Sequence, residues 1–279
     1  MRTLKCNGYT LKFTRPLIMG ILNVTPDSFS DGGRYLKPAD ALAQAEKMAE
    51  EGADIIDIGG ESTRPFAQPV SVEEEIKRVI PVIRMVRKKI KIPISIDTYK
   101  SEVARAALEE GADIINDISA LRMDSRMGAL VASRKVPVVL MHMQGTPRDM
   151  QKNPRYRNVI SDIRDFLRER IERAREYGIK EERIIIDPGI GFGKTVRHNL
   201  QIIRNLKEFK KLGRPLLVGP SRKSFIGKIL NLEVRDRLEG TAAAVALCVW
   251  NGADIIRVHD VREMKRVSDI TWAIKEEKW

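Results

Sequence analysis

The sequence predicts an α/β fold, a single (β/α)8 TIM barrel with an N-terminal β-hairpin. Short β-branched apolar runs alternate with longer amphipathic stretches along the chain, which is the pattern of successive βα units. Eight runs are present, at residues 17–22, 54–58, 93–96, 113–116, 136–141, 183–186, 215–218 and 254–258. An open doubly wound sheet is the alternative. Because no linker rich in Pro, Gly or Ser divides the eight runs, one barrel is favoured.

A repeated segment supports this count of units. Residues 50–59, 109–118 and 250–259 share the letters G-A-D-I-I. In each copy the glycine (Gly52, Gly111 or Gly252) is expected to end a helix, and the two isoleucines to open a strand. The glycines are spaced by 59 and 141 residues, roughly two and four units of about 35 residues in a ring of eight.

The boundaries of the domain follow from the two ends of the pattern. We expect one domain over residues 1–279, with the hairpin at 1–14 and the barrel at 15–279. Asn7-Gly8 stands between alternating residues and predicts the hairpin turn, and the hairpin is expected to plug or flank the bottom of the barrel. Two helix starts are also predicted: Ser71 can cap with Glu74, and Asp260 with Glu263.

Composition limits the class of protein. A net charge of +12 allows nucleic acid, an anionic membrane surface or an acidic small substrate as partner. Aromatic residues are 5% of the chain and thinly spread, so the interleaved pattern of a nucleic-acid-binding protein is missing. The longest apolar run, 242–250, is shorter than the roughly 20 residues of a membrane span. Cys6 and Cys248 indicate neither a disulfide framework nor a zinc site. We therefore expect a cytoplasmic protein that binds no nucleic acid and no membrane.

Polar and glycine-rich residues follow all eight predicted strands. In a βα barrel these strand ends share one rim, where active sites lie. A lone Asp at a strand end is usually a helix cap, but Asp97, Asn116 and Asp187 converge on the same rim. The sequence therefore predicts a functional site at the carboxyl ends of the strands.

Several common functional motifs are incomplete or absent in this sequence. The segment PGIGFGKT has Pro188 where a phosphate-binding loop needs glycine, and Lys194 where a dinucleotide-binding motif needs its last glycine. The sequence has neither a G-x-S-x-G elbow nor an H-E-x-x-H pair. Nucleotide-binding loops, serine hydrolases and zinc proteases of the usual kinds are therefore not indicated.

On its rim segments the chain resembles the dihydropteroate synthase family. The matching segments are ILNVTPDSFSDGG (21–33), DIGGESTRP (57–65), SIDTYK (95–100), INDIS (115–119), LMHMQGTPRDMQ (140–151), IDPGIGFGKT (186–195), SRKSFIG (221–227) and RVHD (257–260). The resemblance implies a βα barrel that joins 6-hydroxymethyl-7,8-dihydropterin pyrophosphate to p-aminobenzoate and releases pyrophosphate. It also implies a homodimer. The chain departs from the family at Phe66, where glycine usually follows STRP.

The resemblance assigns residues to three subsites. It implies that the pterin is bound by Asp97, Asn116, Asp187 and Lys223, with Met141, Phe192 and Gly219 around the ring. It implies that pyrophosphate is bound by Asn23, Thr63, Arg257 and His259, with Mg²⁺ on Asn23. It implies that p-aminobenzoate is bound by Thr63, Arg64, Pro65, Phe192, Lys223 and Ser224, its carboxylate near the helix start at Ser224. Catalysis is then expected from Asn23, Asp97, Lys223, Arg257 and His259 by positioning and electrostatic stabilisation, without a protein nucleophile.

Two other functions remain open on the sequence. A pterin-binding methyltransferase that passes a methyl group from methyltetrahydrofolate to a corrinoid protein has a similar barrel and similar Asp and Asn contacts. The STRP, SRKS and RVHD segments favour the synthase over it. A basic nucleic-acid-binding protein is the alternative from another class, and it requires clustered cations with aromatic residues among them.

Overall fold

The computed structural model describes residues 2–25, 38–62 and 67–278. A hairpin of β1 (Thr3–Cys6) and β2 (Tyr9–Lys12) comes first. The remaining strands are β3 (Leu17–Asn23), β4 (Ile55–Gly59), β5 (Ile94–Asp97), β6 (Ile114–Asp117), β7 (Val138–Met141), β8 (Ile184–Asp187), β9 (Leu217–Val218) and β10 (Ile255–Val258). Each of the eight predicted apolar runs overlaps one of these strands, with ends displaced by at most two residues.

The eight strands form a closed parallel barrel. Their order in the sheet is β8-β7-β6-β5-β4-β3-β10-β9. A bridge between Ile186 and Leu216 joins the two outer strands, and the Ile186 N–H donates to the Pro215 carbonyl at 3.0 Å. The predicted (β/α)8 barrel with an N-terminal hairpin is therefore confirmed.

Helices cover the outside of the barrel. They are α1 (Pro38–Glu50), α2 (Val72–Lys89), α3 (Ser101–Glu109), α4 (Met127–Arg134), α5 (Val159–Glu176), α6 (Val196–Arg204), α7 (Leu206–Lys210), α8 (Ser224–Leu230), α9 (Leu238–Trp250) and α10 (Val261–Glu276). Across residues 2–25, 38–62 and 67–278, none of these helices combines the length and apolar character that a bilayer crossing requires. Strand residues that face these helices, such as Ile56 and Ile96, are buried in one large apolar cluster.

The hairpin closes the bottom of the barrel. Inward-facing strand residues at that end, such as Met19 and Ile185, pack in one cluster with Leu4, Cys6 and Leu11 of the hairpin. All five side chains are buried. The prediction that the hairpin plugs or flanks the barrel bottom is confirmed as a plug. The lower barrel is thus filled with apolar side chains.

The glycine and the aspartate of the repeated G-A-D-I-I segment have the same structural role in each of the three copies. Gly52, Gly111 and Gly252 have φ of +97°, +105° and +98°, the left-handed conformation that ends a helix. The side chain of the aspartate two residues after each glycine accepts a backbone N–H at the start of the neighbouring strand that precedes it in the ring. The pairs are Ile18 to Asp54 (2.8 Å), Ile94 to Asp113 (2.9 Å) and Leu216 to Asp254 (2.7 Å).

Of the two predicted helix caps, one is confirmed and one is wrong. The Ser71 hydroxyl accepts the Glu74 N–H at 3.2 Å and caps α2. Asp260 precedes α10, but its side chain makes no capping hydrogen bond. The carboxylate of Asp260 accepts two hydrogen bonds from Arg222 instead, because a guanidinium offers a stronger, bidentate partner than a backbone N–H.

Candidate active site

A cavity opens at the carboxyl ends of the strands. Its walls include all seven residues that the resemblance assigned to the pterin, together with Arg257. The lining residues are Asp97, Asn116, Ile118, Met141, Asp187, Ile190, Phe192, Gly219, Lys223 and Arg257. The structure thus brings together side chains from five strands (β5, β6, β7, β8 and β10) and residues of the loops that follow β6, β8 and β9.

Strand alternation explains why the polar residues of this cavity face inward. In β5 and β6, Ile96 and Ile115 pack outward against the helices, and the residues after them point into the barrel. Asp97 and Asn116 are register partners on neighbouring strands. Asp187 ends β8 opposite Met141 of β7. The three polar groups are therefore held on rigid strand ends.

The two cavity carboxyl groups are buried, which changes their ionisation. Burial raises the pKa of Asp97 to about 7, against the opposing charge of Arg257. Burial also raises the pKa of Asp187 to about 6, although the Gly189 N–H donates to it at 2.7 Å. Both carboxyl groups consequently titrate close to neutral pH.

Sequence reasoning missed Asp57, which joins the cavity from below. Arg257 donates through Nε to Asp57 Oδ2 at 2.6 Å and through Nη2 to Asp97 Oδ2 at 2.6 Å. The Asn116 Nδ2 donates to the same Asp57 oxygen at 3.0 Å. Asp57 lies inside β4 rather than at its end, so the rule that strand ends form the site does not identify it. A charged residue at an inward position of the apolar run IIDIG was the available signal.

One wall of the cavity is apolar. Met141 and Phe192 are buried in a small cluster with Ile118, Met143 and Met150. The Lys223 Nζ lies 4.3 Å from the centre of the Phe192 ring, within range of a cation–π contact. A flat ligand with polar edges would therefore meet apolar side chains on its face and hydrogen-bonding groups at its rim.

His259 lies beside the cavity on the segment after β10. Its Nδ1 is 3.0 Å from the Ser221 hydroxyl, and its backbone N–H donates to the same oxygen at 3.3 Å. Burial, together with the charges of Arg257 and Arg222, lowers the pKa of His259 to about 3. The imidazole is therefore neutral at neutral pH. The Ser221 hydroxyl can donate to Nδ1 or accept from it, so the direction of this hydrogen bond follows the tautomer of the neutral ring.

The other predicted site residues lie apart from this cavity or outside the described residues. Asn23 is half-buried at the end of β3, opposite Gly59 of β4. Ser224 begins α8 and lines a second cavity with Gln151, Lys194, Val196, Asn199, Phe225 and Lys228. Thr63, Arg64 and Pro65, like Phe66, lie outside the described residues.

Lys194 is a second buried charge that sequence reasoning did not place in a site. Its Nζ donates to the Phe192 carbonyl at 2.8 Å and lies 3.0 Å from Nδ1 of His142. Burial lowers the pKa of Lys194 well below its ordinary value. The side chain connects the segments after β7 and β8, and so it supports the apolar wall that Phe192 forms.

Comparisons with known proteins agree with this geometry. A family model described as "Pterin binding enzyme" matches residues 19–259. The dihydropteroate synthase of Synechocystis sp. is 50% identical over 262 residues, which are 92% of this chain and 91% of that protein. The crystal structure of Yersinia pestis dihydropteroate synthase with a sulfonamide drug complex has a TM-score of 0.95 and 43% identity, covering 98% of this chain and 99% of that one.

A second solved structure was determined with one expected substrate. The dihydropteroate synthase of Xanthomonas albilineans with 4-aminobenzoic acid has a TM-score of 0.92 and 46% identity, covering 98% of each chain. The family match extends over most of the barrel, and the sequence relatives align over nearly the whole chain. The chain therefore belongs to the pterin-binding enzyme family, among the dihydropteroate synthases.

Proposed function

We propose that this chain condenses 6-hydroxymethyl-7,8-dihydropterin pyrophosphate with p-aminobenzoate. The products are 7,8-dihydropteroate and pyrophosphate, and the reaction is a transferase step of folate biosynthesis. The observation that carries the proposal is the convergence of Asp97, Asn116 and Asp187 with Lys223 and Arg257 on one cavity. Acceptors for a pterin ring and cations for a leaving pyrophosphate thus lie side by side.

The pterin subsite follows from the acceptors of the cavity. The ring presents N3–H and a 2-amino group on one edge, and the two oxygens of the Asp187 carboxylate can accept from both. Asn116 and Asp97 supply further polar contacts, and Lys223 can donate to the O4 and N5 side. Met141 and Phe192, both buried, pack against the ring, while Gly219 lines the same cavity.

The pyrophosphate subsite lies towards β10 and β3. Arg257 donates through Nε and Nη2 within the protein, so Nη1 is left for a phosphate oxygen. His259 is neutral and follows β10 two residues after Arg257, and Thr63 is assigned to this subsite by the resemblance. The Asn23 amide oxygen is a hard donor of the kind that Mg²⁺ takes when phosphate oxygens complete its shell. When bound, Mg²⁺ offsets the negative charge of the leaving group.

The chemistry needs no protein nucleophile. The bond between the pterin methylene carbon and the pyrophosphate oxygen breaks early, and the electron pair leaves with pyrophosphate. The amine lone pair of p-aminobenzoate then forms the new C–N bond, and the resulting ammonium loses a proton. The charges of Arg257 and Lys223 stabilise the departing anion, and the carboxylates of Asp97 and Asp187 stabilise the cationic pterin.

The p-aminobenzoate subsite lies between Phe192, Lys223 and Ser224. Ser224 is exposed at the start of α8, where its hydroxyl can donate to the substrate carboxylate. Thr63, Arg64 and Pro65 complete this subsite by resemblance. The structure of the Xanthomonas albilineans relative with 4-aminobenzoic acid supports the choice of substrate.

We further propose that the chain is a cytoplasmic homodimer. Helix α9 has an apolar side on both its inner and outer faces, and it exposes Leu247 and Trp250. Helix α10 packs against α9 and exposes Ile270 and Ile274. A helix that is apolar all round is usually buried, so a second copy of this chain is the occupant that the resemblance implies for this face.

A condensation assay tests the proposed function. Purified protein is incubated with the pterin pyrophosphate, radiolabelled p-aminobenzoate and Mg²⁺, and labelled dihydropteroate is separated and counted. We expect product with the wild type and none with Asp187→Ala. Absence of product from the wild type would overturn the proposal. Methyl transfer from methyltetrahydrofolate to a corrinoid protein, or salt-sensitive retention of DNA on a filter, would then identify one of the two alternatives.

A further inference from the structure

Asp57 occupies a position that none of the three proposed subsites uses. It is fully buried on β4, and its neighbours Ile56 and Ile58 face the outer helices. One oxygen, Oδ2, accepts from both Arg257 Nε (2.6 Å) and Asn116 Nδ2 (3.0 Å). Two residues that line the cavity are thus held from beneath by a single carboxylate oxygen.

This contact determines which atom Asn116 presents to a ligand. An amide has one donor nitrogen and one acceptor oxygen. Because one N–H of Nδ2 donates to Asp57, the amide is fixed in orientation, and Oδ1 is the acceptor that Asn116 can offer to a molecule in the cavity. Asn116 then acts as an acceptor beside the carboxylates of Asp97 and Asp187. With a neutral group in place of Asp57, the amide would be free to turn and present its donor.

The same contact fixes the guanidinium of Arg257. Its Nε is held by Asp57 and its Nη2 by Asp97 at 2.6 Å, so its plane cannot rotate. Two anchors on neighbouring nitrogens hold the plane of the guanidinium and so the position of the remaining nitrogen. An arginine held in this way loses little conformational freedom when an anion binds.

We propose that Asp57 is a positioning residue that sets the hydrogen-bonding pattern of the cavity, by holding Asn116 as an acceptor and Arg257 in a fixed plane. The class of ligand favoured is a flat ring whose edge is rich in N–H donors. The proposal rests on the proposed function, since the ligand is identified with the pterin. It adds a residue that acts through two others rather than by touching substrate.

A purely stabilising role explains the contacts of Asp57 less well. Its second oxygen, Oδ1, is buried and has no hydrogen-bond partner in the described part of the chain. Burying a carboxylate is costly, and an ion pair kept for stability alone is often no better than apolar side chains. A half-satisfied buried carboxylate is more readily explained by the orientation of the two groups that it holds.

The main test compares Asp57→Asn with a matched control. Asp57→Asn keeps the shape of the side chain and removes its charge. Ser95→Ala is the control, because Ser95 is the register partner of Asp57 on β5 and is equally buried, with no partner for its hydroxyl among the described residues. We expect Asp57→Asn to weaken calorimetric binding of 6-hydroxymethylpterin by about tenfold or more and Ser95→Ala to change it by less than about twofold.

A pH profile separates positioning from simple structural support. Asp97 is faced by Arg257, Asp57, Glu75 and Lys223, and the charge of Asp57 contributes to its raised pKa. Removing that charge favours ionised Asp97. The midpoint of pterin binding that belongs to Asp97 should therefore shift to lower pH in Asp57→Asn, by about one unit. An unchanged midpoint together with unchanged affinity would overturn the proposal.

Two further measurements keep the proposal separate from the proposed function. The Nε–H proton of Arg257 should exchange slowly in NMR spectra of the wild type and of Ser95→Ala, and quickly in Asp57→Asn. If the Nε–H exchanges quickly only in Asp57→Asn but the wild type forms no dihydropteroate, the proposed function is wrong and the positioning role of Asp57 is supported. If the wild type is active and the Nε–H is as well protected from exchange in Asp57→Asn as in the wild type, the proposed function is supported and the positioning role is wrong.

A double variant covers the case in which Asp57→Asn does not fold. Asp57→Asn/Arg257→Gln removes both charges, so that no unpaired buried charge of this pair remains. Its pterin affinity is compared with that of Arg257→Gln alone. We expect a further loss of about threefold or more, because the orientation of Asn116 still depends on Asp57. Equal affinities of the two variants would overturn the proposal.

Discussion

Arg222 and Asp260 join the segment after β9 to the segment after β10. Arg222 donates through Nε to Asp260 Oδ2 at 2.9 Å and through Nη2 to Oδ1. The backbone of Arg222 has φ of +55°, which is the left-handed region, and its N–H donates to the Thr241 hydroxyl at 3.0 Å. Lys223 follows Arg222 directly, and His259 precedes Asp260. The ion pair therefore holds a strained turn that places two proposed site residues.

The first prediction concerns this ion pair. Asp260→Asn should lower the rate of condensation about tenfold, since Lys223 and His259 lose their fixed positions. The free energy of unfolding should fall by only about 1 kcal/mol, because the pair is partly exposed to solvent. Steady-state kinetics and thermal unfolding measure the two effects. Asp269→Asn, which removes an ion pair with Lys265 on the same helix, is the control. Equal loss of activity in both variants would contradict the prediction.

The sequence predicted the barrel well because its signals are local. An apolar run and a G-A-D-I-I segment are each recognised from residues next to one another in the sequence. The isoleucines of each G-A-D-I-I segment begin a strand. Ser71 was likewise predicted from contacts three residues apart. The cap predicted at Asp260 was wrong, because the partner of Asp260, Arg222, is 38 residues away in sequence and competes with the local cap.

The candidate site was predictable only as far as the strand ends mark it. The rule that barrel strand ends share a rim brought Asp97, Asn116 and Asp187 together before any coordinates. It could not find Asp57, whose partner Arg257 lies 200 residues away. Contacts across the barrel form between side chains at the same height along the barrel axis. The register of the strands determines that height, and local sequence does not reveal it.

The second prediction concerns protonation of Asp187. Its pKa is raised to about 6 by burial, and hydrogen bonds from the pterin N–H groups favour the ionised form. Pterin affinity should therefore rise as pH increases from about 5 to 7, and binding near pH 6 should release protons. Calorimetry in two buffers with different ionisation enthalpies measures the release. Asp187→Asn should reduce both the affinity and the number of protons released.

The raised pKa also has a consequence for stability without ligand. The folded state holds the Asp187 proton more tightly than the unfolded chain, where the ordinary value is 3.8. The contribution of this group to the free energy of unfolding is complete below pH 4 and is lost as pH rises through about 6. Relative to Asp187→Asn, the wild type should become less stable across that interval. A constant difference between the two proteins would contradict the assignment.

The third prediction concerns magnesium and Asn23. Removing Mg²⁺ with a chelator should abolish condensation, because pyrophosphate then leaves without charge compensation. Asn23→Ala should raise the Mg²⁺ concentration needed for half-maximal activity by about tenfold, since one of few protein ligands is lost. Binding of 6-hydroxymethylpterin, which carries no phosphate, is the control and should not change. Equal losses in both measurements would place Asn23 in the pterin subsite.

The fourth prediction concerns the apolar face of α9 and α10. Leu247 and Trp250 are 54% and 47% exposed in the single chain, more than expected for two large apolar side chains on neighbouring turns. Leu247→Glu/Trp250→Glu should convert a dimer to a monomer, because charges would be buried without partners. Light scattering after size exclusion measures the mass. Met123→Glu, an exposed apolar residue after β6, is the control. A wild-type monomer would refute the dimer.

The last prediction uses the three repeated glycines as an internal comparison. Gly252→Ala should lower the free energy of unfolding by about 1–2 kcal/mol through backbone strain alone, since an added Cβ would lie 3.7 Å from its nearest neighbour, Lys210. Gly52→Ala should cost about the same, with its nearest contact at 3.4 Å. Gly111→Ala should cost more, because its Cβ would lie 2.8 Å from Arg87 Cγ.

Gly111→Ala is expected to lower the free energy of unfolding most because of the hydrogen bonds that Arg87 makes. Its guanidinium donates to Asp113 Oδ2 at 2.5 Å and to the Tyr9 hydroxyl of the hairpin at 2.7 Å. A methyl group at position 111 would displace this side chain and weaken the attachment of the plug to the barrel. Urea unfolding of the three variants measures the order. If Gly111→Ala were the mildest, the connection between Arg87 and the hairpin would not contribute to stability.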